Sequence, residues 1–104
     1  MKILYIDTAD RNEIKVSLNL DGKESSVSSK ATILKSQAVM PLIDKVLKEN
    51  GIDIKELNGI NVNTGPGSFT GIRVGIAVAN SLSYFLKIPV NGKKVGEIAE
   101  PVYN

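Results

Sequence analysis

Residues 63–75 read NTGPGSFTGIRVG, and the use made of its four glycines decides between two kinds of fold. Either the glycines cradle a phosphate, or they let two stretches of backbone approach where a side chain would block them. The spacing Gly65-x-Gly67-x-x-x-Gly71 is not the dinucleotide fingerprint, which has one residue fewer before its third glycine. It is not a Walker A loop either, because no Lys-Ser/Thr pair follows. An anion site survives in a looser form. Ser68 can cap a helix whose start attracts anions, and Arg73 lies in that first region. A cation there opposes the helix dipole. Arg73 therefore calls for a phosphate or carboxylate ligand, or for an acidic side chain within the fold.

The packing use of the glycines extends further along the chain. Gly71, Gly75, Ala79 and Ser83 recur every four residues, which makes one line of small side chains on a helix spanning 72–86. Val74, Val78, Leu82 and Phe85 form a line of large ones beside it, and Ile72 and Ile76 flank the small line. We expect the large residues to face a sheet and the small line to need another cover. A second helix is expected over 36–50, from Val39, Met40, Leu42, Ile43, Val46 and Leu47, with Ser36 as its cap and Gly51 at its end. The two helices can cover part of each other. In so short a chain, a second polypeptide is the expected cover for the remainder.

The first thirty residues have a different period. KILYID (2–7) is nearly all apolar and reads as a buried central strand. IKVSLNL (14–20) alternates, Asp21-Gly22 is a two-residue hairpin turn, and KESSVSS (23–29) is a polar edge strand. Asp53 and Glu56 form a capped turn, GINVN (59–63) a fourth strand, and IPV (88–90) a short fifth. A weak helical pattern covers 95–99, and Pro101 ends it. Right-handed crossovers then give an α/β fold: a mixed five-stranded sheet of order 3-2-1-4-5 with helices packed on it. Ribonuclease-H-like and actin-like lobes have that order, with their chemistry at the end of the first strand, here Asp7-Thr8.

Composition narrows the function. With 104 residues the chain is a single domain, 1–104, and its net charge of +2 argues for neither nucleic acid nor an anionic membrane. It has no Cys and no His, which excludes disulfides, thiolate sites, Ser-His-Asp catalysis and nearly all zinc chemistry. No metal site is expected. No signal peptide is visible, no segment approaches the ~20 apolar residues of a membrane span, and a cytoplasmic location is the default. A two-metal nuclease needs converging carboxylates, but the fourth strand ends in Asn63-Thr64. The enzyme alternative is a small actin-like ATPase using Asp7, Thr8 and the Gly65–Gly67 loop for nucleotide.

GPGSFTGIRVG (65–75) closely resembles the signature of the TsaB (YeaZ) family, and ILYIDTA (3–9), KSQAVMPLID (35–44) and residues 56–90 follow in the family's order. The resemblance covers roughly residues 1–92. It implies an inactive actin-like paralogue of TsaD, the catalytic subunit that places threonylcarbamoyl on the adenosine beside the tRNA anticodon. It also implies a partner ATPase, TsaE, with TsaE and tRNA both reached through the complex. No cofactor is required, and the place for ATP or ADP is the partner interface. The implied contact, with TsaD or a second copy of the chain, uses both helices. From the first it draws Ser36, Gln37, Met40, Ile43 and Leu47, and from the second Ile72, Gly75, Ile76, Ala79 and Ser83. Asp7, Thr8, Gly65, Gly67, Ser68 and Arg73 are the candidates for nucleotide or anion. Two departures stand out. Lys35 replaces the family's usual His, and family members are about twice as long, so the chain is expected to be one amino-terminal lobe, either naturally short or a fragment.

Overall fold

The structure, a computed structural model, describes residues 1–30 and 35–102. Strand β1 (Lys2–Asp7) lies at the centre of the sheet, as its apolar run requires. It pairs antiparallel with β2 (Glu13–Leu20), which pairs antiparallel with β3 (Lys23–Lys30). Asp21 and Gly22 join the last two with φ of 53° and 92°, the left-handed pair that matches hairpin twist. After helix α1 (Lys35–Glu49), β4 (Gly59–Val62) runs parallel to β1, and helix α2 (Phe69–Leu86) follows. The sheet order is β3-β2-β1-β4. In register, Val27, Val16, Ile6 and Val62 cross the sheet as one row, and Leu18, Leu4 and Ile60 as the next. These rows are buried beneath the two helices. The opposite face, with Ile3, Tyr5 and Asn61, is partly open.

The expected fifth strand is reduced to one bridge. Val90 pairs with Ile60, whose N–H donates to the Pro89 carbonyl at 3.0 Å and whose carbonyl accepts from Asn91 N–H at 2.8 Å. Asn91 and Gly92 then take φ of 51° and 70°, which turns the backbone away. The Asn91 side chain continues the pairing in its place. Its oxygen accepts from Val62 N–H at 2.7 Å, and its amide donates to the Val62 carbonyl at 3.2 Å. Val95 and Gly96 form a turn and residues 97–99 are irregular, not the helix that their pattern hints at. Ala99 is held by a reciprocal pair of hydrogen bonds with the Asn80 side chain.

The helices start close to where their signals lie. Ser68 caps α2 by accepting from Gly71 N–H at 3.3 Å, so the helix begins three residues earlier than the apolar pattern alone sets it. Ser36 is no cap, because α1 already includes Lys35. Asp53 and Glu56 close a capping box on a 3₁₀ turn at Ile54–Glu56. On α1, Val39, Leu42, Ile43, Val46 and Leu47 are buried, and Met40 and Pro41 face outward.

The faces of α2 are the reverse of the expected ones. Gly71, Gly75, Ala79 and Ser83, with Ile72 and Ile76, turn inward and are buried by the chain itself. Val74, Val78 and Leu82 are only partly buried, and Phe85 is 77% exposed. The reason is the close approach of α2 to the end of β1. The Thr8 hydroxyl donates to the Gly71 carbonyl at 2.5 Å and accepts from Gly75 N–H at 3.1 Å. It thus stands between two groups that an α-helix ordinarily joins directly. A Cβ on Gly71 would lie 2.2 Å from the Thr8 carbonyl oxygen, and one on Gly75 would lie 2.4 Å from Thr8 Oγ1. Small residues mark this close approach. By length and composition α2 would also pass as a membrane span, as core helices of soluble proteins do; here its inner side is seated on the sheet.

Two outcomes follow. Gly75→Ala and Thr8→Val should each destabilise the fold by about 1–3 kcal/mol, through overpacking and through the unmet Gly75 N–H respectively. Thermal midpoints should fall by about 4–8 °C per kcal/mol. Ala77→Ser, on the outer side, should stay within about 0.5 kcal/mol of the parent. In acid, the Glu56 carboxyl is held below its ordinary value of 4.5, first by Asp53 N–H and then by Lys2. Its stabilising contribution is present above 4.5 and is lost as pH falls through the lowered value. Denaturant titrations of Glu56→Gln should show a shallower loss of stability below that pH.

Candidate interaction site at the end of β1 and the α1–α2 groove

Of the residues proposed for an anion, Asp7, Thr8, Gly65, Gly67 and Ser68 gather at the end of β1, with their polar groups bonded within the chain. Asp7 Oδ1 accepts from Ala9 N–H at 3.1 Å and from the Asn63 amide at 3.2 Å. The Ala9 carbonyl accepts from Ser68 N–H at 2.7 Å. Gly67 permits that contact, since a Cβ there would lie 2.7 Å from the Ala9 oxygen. Gly65 has φ of 107°, and a Cβ on it would meet the Val102 carbonyl at 2.4 Å. The glycines here admit backbone. Lys35, reaching back from α1, donates to the Thr8 carbonyl at 2.9 Å and to the Asp10 carbonyl. Burial pushes its ammonium pKa below the ordinary lysine value, against the opposing pull of Asp10 and Asp7. The loop therefore offers carbonyl oxygens towards Lys35, a lining suited to a cation rather than to a phosphate.

Arg73 is not part of that loop's bonding. Its guanidinium lies 5.5 Å from the centre of the Phe69 ring on the outer side of α2. Among the described residues no carboxylate lies within ion-pair distance of it. The same residues contain no cluster of three or more His, Cys, Asp or Glu side chains placed for a metal ion.

The residues proposed for a partner divide into two sets. Ser36, Gln37 and Met40 are exposed on α1. Ile43, Leu47, Ile72, Gly75, Ile76, Ala79 and Ser83 are buried by the chain's own packing, although Ile43 and Leu47 still edge an open groove beside Met40, and Ser83 edges one beside Tyr84 and Phe85. The open apolar surface belongs instead to the line of large residues and its neighbours. Phe69 is 57% exposed, and Val74, Ala77 and Val78 line an open groove between α2 and Ser36 of α1, with Arg73 at its side. Phe85 and Tyr84, packed edge to face with ring centres 5.8 Å apart, extend the outer surface at the far end of α2. The signal was present in the sequence: a glycine line marks the side of closest approach, so the large line beside it faces outward.

The family model for TsaD, tRNA N6-adenosine threonylcarbamoyltransferase, matches residues 27–93. The tRNA threonylcarbamoyladenosine biosynthesis protein TsaB of Escherichia coli (strain K12) is 33% identical over 92 residues, covering 88% of this chain and 39% of that protein. The protein of the same name from Buchnera aphidicola subsp. Schizaphis graminum is 50% identical over 54 residues, covering 52% of this chain and 26% of its own length. Among solved structures, YeaZ from Pseudomonas aeruginosa superposes with a TM-score of 0.82 at 29% identity, covering 89% of this chain and 43% of that one. The chain thus spans less than half the length of each of these three proteins. The signature at residues 65–75, the sheet order and these likenesses agree: the chain belongs to the TsaB/YeaZ family and has its actin-like fold.

Proposed function

We propose that this chain is a non-catalytic partner of a TsaD-like subunit in tRNA threonylcarbamoyladenosine biosynthesis, a cytoplasmic role, and that it docks through the α1–α2 groove. The observation that carries the reading is the outer side of α2. Phe69, Val74, Ala77 and Val78 form an open apolar surface beside Ser36, on the two helices that the family resemblance implies for the contact. Exposed apolar patches of this kind usually mark an interaction surface. Support for the non-catalytic part comes from the end of β1. Asp7 and Thr8, which an ATPase would direct at nucleotide, here bond to Ala9, Asn63, Gly71 and Gly75. A TsaE-like ATPase and tRNA are then met through the assembly, and any ATP or ADP at the partner interface.

Co-expression with a TsaD-like subunit tests this. The parent chain should co-purify with it, and Ala77→Glu should weaken capture by at least about tenfold, the effect of ~1.4 kcal/mol. The thermal midpoint of Ala77→Glu should stay near that of the parent. Undiminished capture by Ala77→Glu would contradict the reading. So would a parent chain that forms only homodimers through this groove, or one that releases phosphate from ATP in a manner lost in Asp7→Ala.

A further inference from the structure

The Lys35 side chain starts on α1, but its ammonium is bound elsewhere. It donates to the carbonyls of Thr8 and Asp10, on the loop that leaves β1. It also lies close over α2, since a Cβ on Gly71 would come within 2.5 Å of Nζ. One charged group therefore meets the start of both helices and the end of the central strand. The loop is shaped for it. Two carbonyl oxygens converge on one point; burial works against charge there, and the nearby Asp10 and Asp7 carboxylates oppose it by favouring the ammonium. Converging backbone carbonyls with nearby carboxylates are the usual surroundings of a hard cation. A lysine ammonium carries three donors and meets the same need. Gly71, kept bare by the approach of Thr8, also leaves the space that the ammonium occupies.

Lys35 is followed directly by Ser36, which forms the α1 side of the groove opposite Phe69, Thr70 and Val74. The place of the ammonium thus fixes the place of that side. We propose that Lys35 is a positioning residue. Its ammonium is the resident cation of the Thr8–Asp10 turn, and the tether holds the first turn of α1 at a set distance from α2. The effect on docking rests on the proposed function; the tether itself does not.

Amide hydrogen exchange on the full chain tests it, with two variants. Lys35→Ala removes the side chain, and Lys35→Met keeps an apolar stem without the donors. In both, exchange over residues 9–12 and 36–40 should quicken by about tenfold or more, as expected when charge-assisted hydrogen bonds are lost. Exchange in β1 and β4 should not change. Methylammonium chloride should restore protection in Lys35→Ala by filling the turn. Tetramethylammonium chloride at equal ionic strength, with no N–H to donate, should not. Parent-like exchange in Lys35→Met, or equal responses to the two salts, would overturn the tether. Capture of a TsaD-like subunit separates the remaining step. Weaker capture by Lys35→Ala than by the parent supports the positioning role, and equal capture overturns it. A parent chain that captures nothing removes the docking function and leaves the tether to be decided by exchange alone.

Discussion

The hydroxyl of Thr8 lies inside the backbone of α2, between the Gly71 carbonyl and the Gly75 N–H. That one insertion sets the separation of the helix from the central strand. It requires glycine at both positions, because a Cβ at either would fall on Thr8. It also fixes the rotation of the helix, since Ala79 and Ser83 lie on the same side as the two glycines and are carried inward with them. The core rows of the sheet and the isoleucines of α2 close around this contact.

The rotation decides what is left outside. With the small line spent on the sheet, Phe69, Ala77 and Phe85 are left exposed, and Val74 and Val78, packed against the core, stay partly open. Packing inside and apolar surface outside are thus two consequences of one choice of helix face. A surface helix ordinarily buries one apolar stripe and shows polar residues on the other side. On α2 the groove side, with Phe69, Val74, Ala77 and Val78, stays mainly apolar, while Thr70, Arg73 and Ser81 are also exposed and Arg73 lies over Phe69. That departure from an ordinary surface helix is the physical basis for reading the groove as a docking site.

Much of the architecture was legible from local pattern. The run at 2–7, the alternation at 14–20 and the Asp21-Gly22 turn each carry their own signal, and the strands form where those signals lie. The crossover rule then gave the sheet order. What local pattern could not give was contact between distant residues. The face of α2 turned on Thr8, more than sixty residues earlier in the chain. The short strand at 88–90 was in the right place, but left-handed backbone at Asn91 and Gly92 ends it after one bridge. Lys35 showed as a departure from the family pattern, and only the fold shows where its ammonium goes. Of the phosphate candidates, Asp7, Thr8, Gly65, Gly67 and Ser68 come together at the end of β1 and Arg73 does not, and their spacing did not reveal that the polar groups there bond within the chain.

Hydroxyl-radical footprinting tests the central claim most directly, because it reads side-chain exposure on both sides of the fold in one experiment. In the free chain, Phe69, Phe85 and Met40 should react readily, and Ile72 and Ile76 should not. With a TsaD-like subunit added, Phe69 and Met40 should become protected. Reactive Ile72 and Ile76 in the free chain, or protection confined to Tyr5 on the opposite sheet face, would contradict the account.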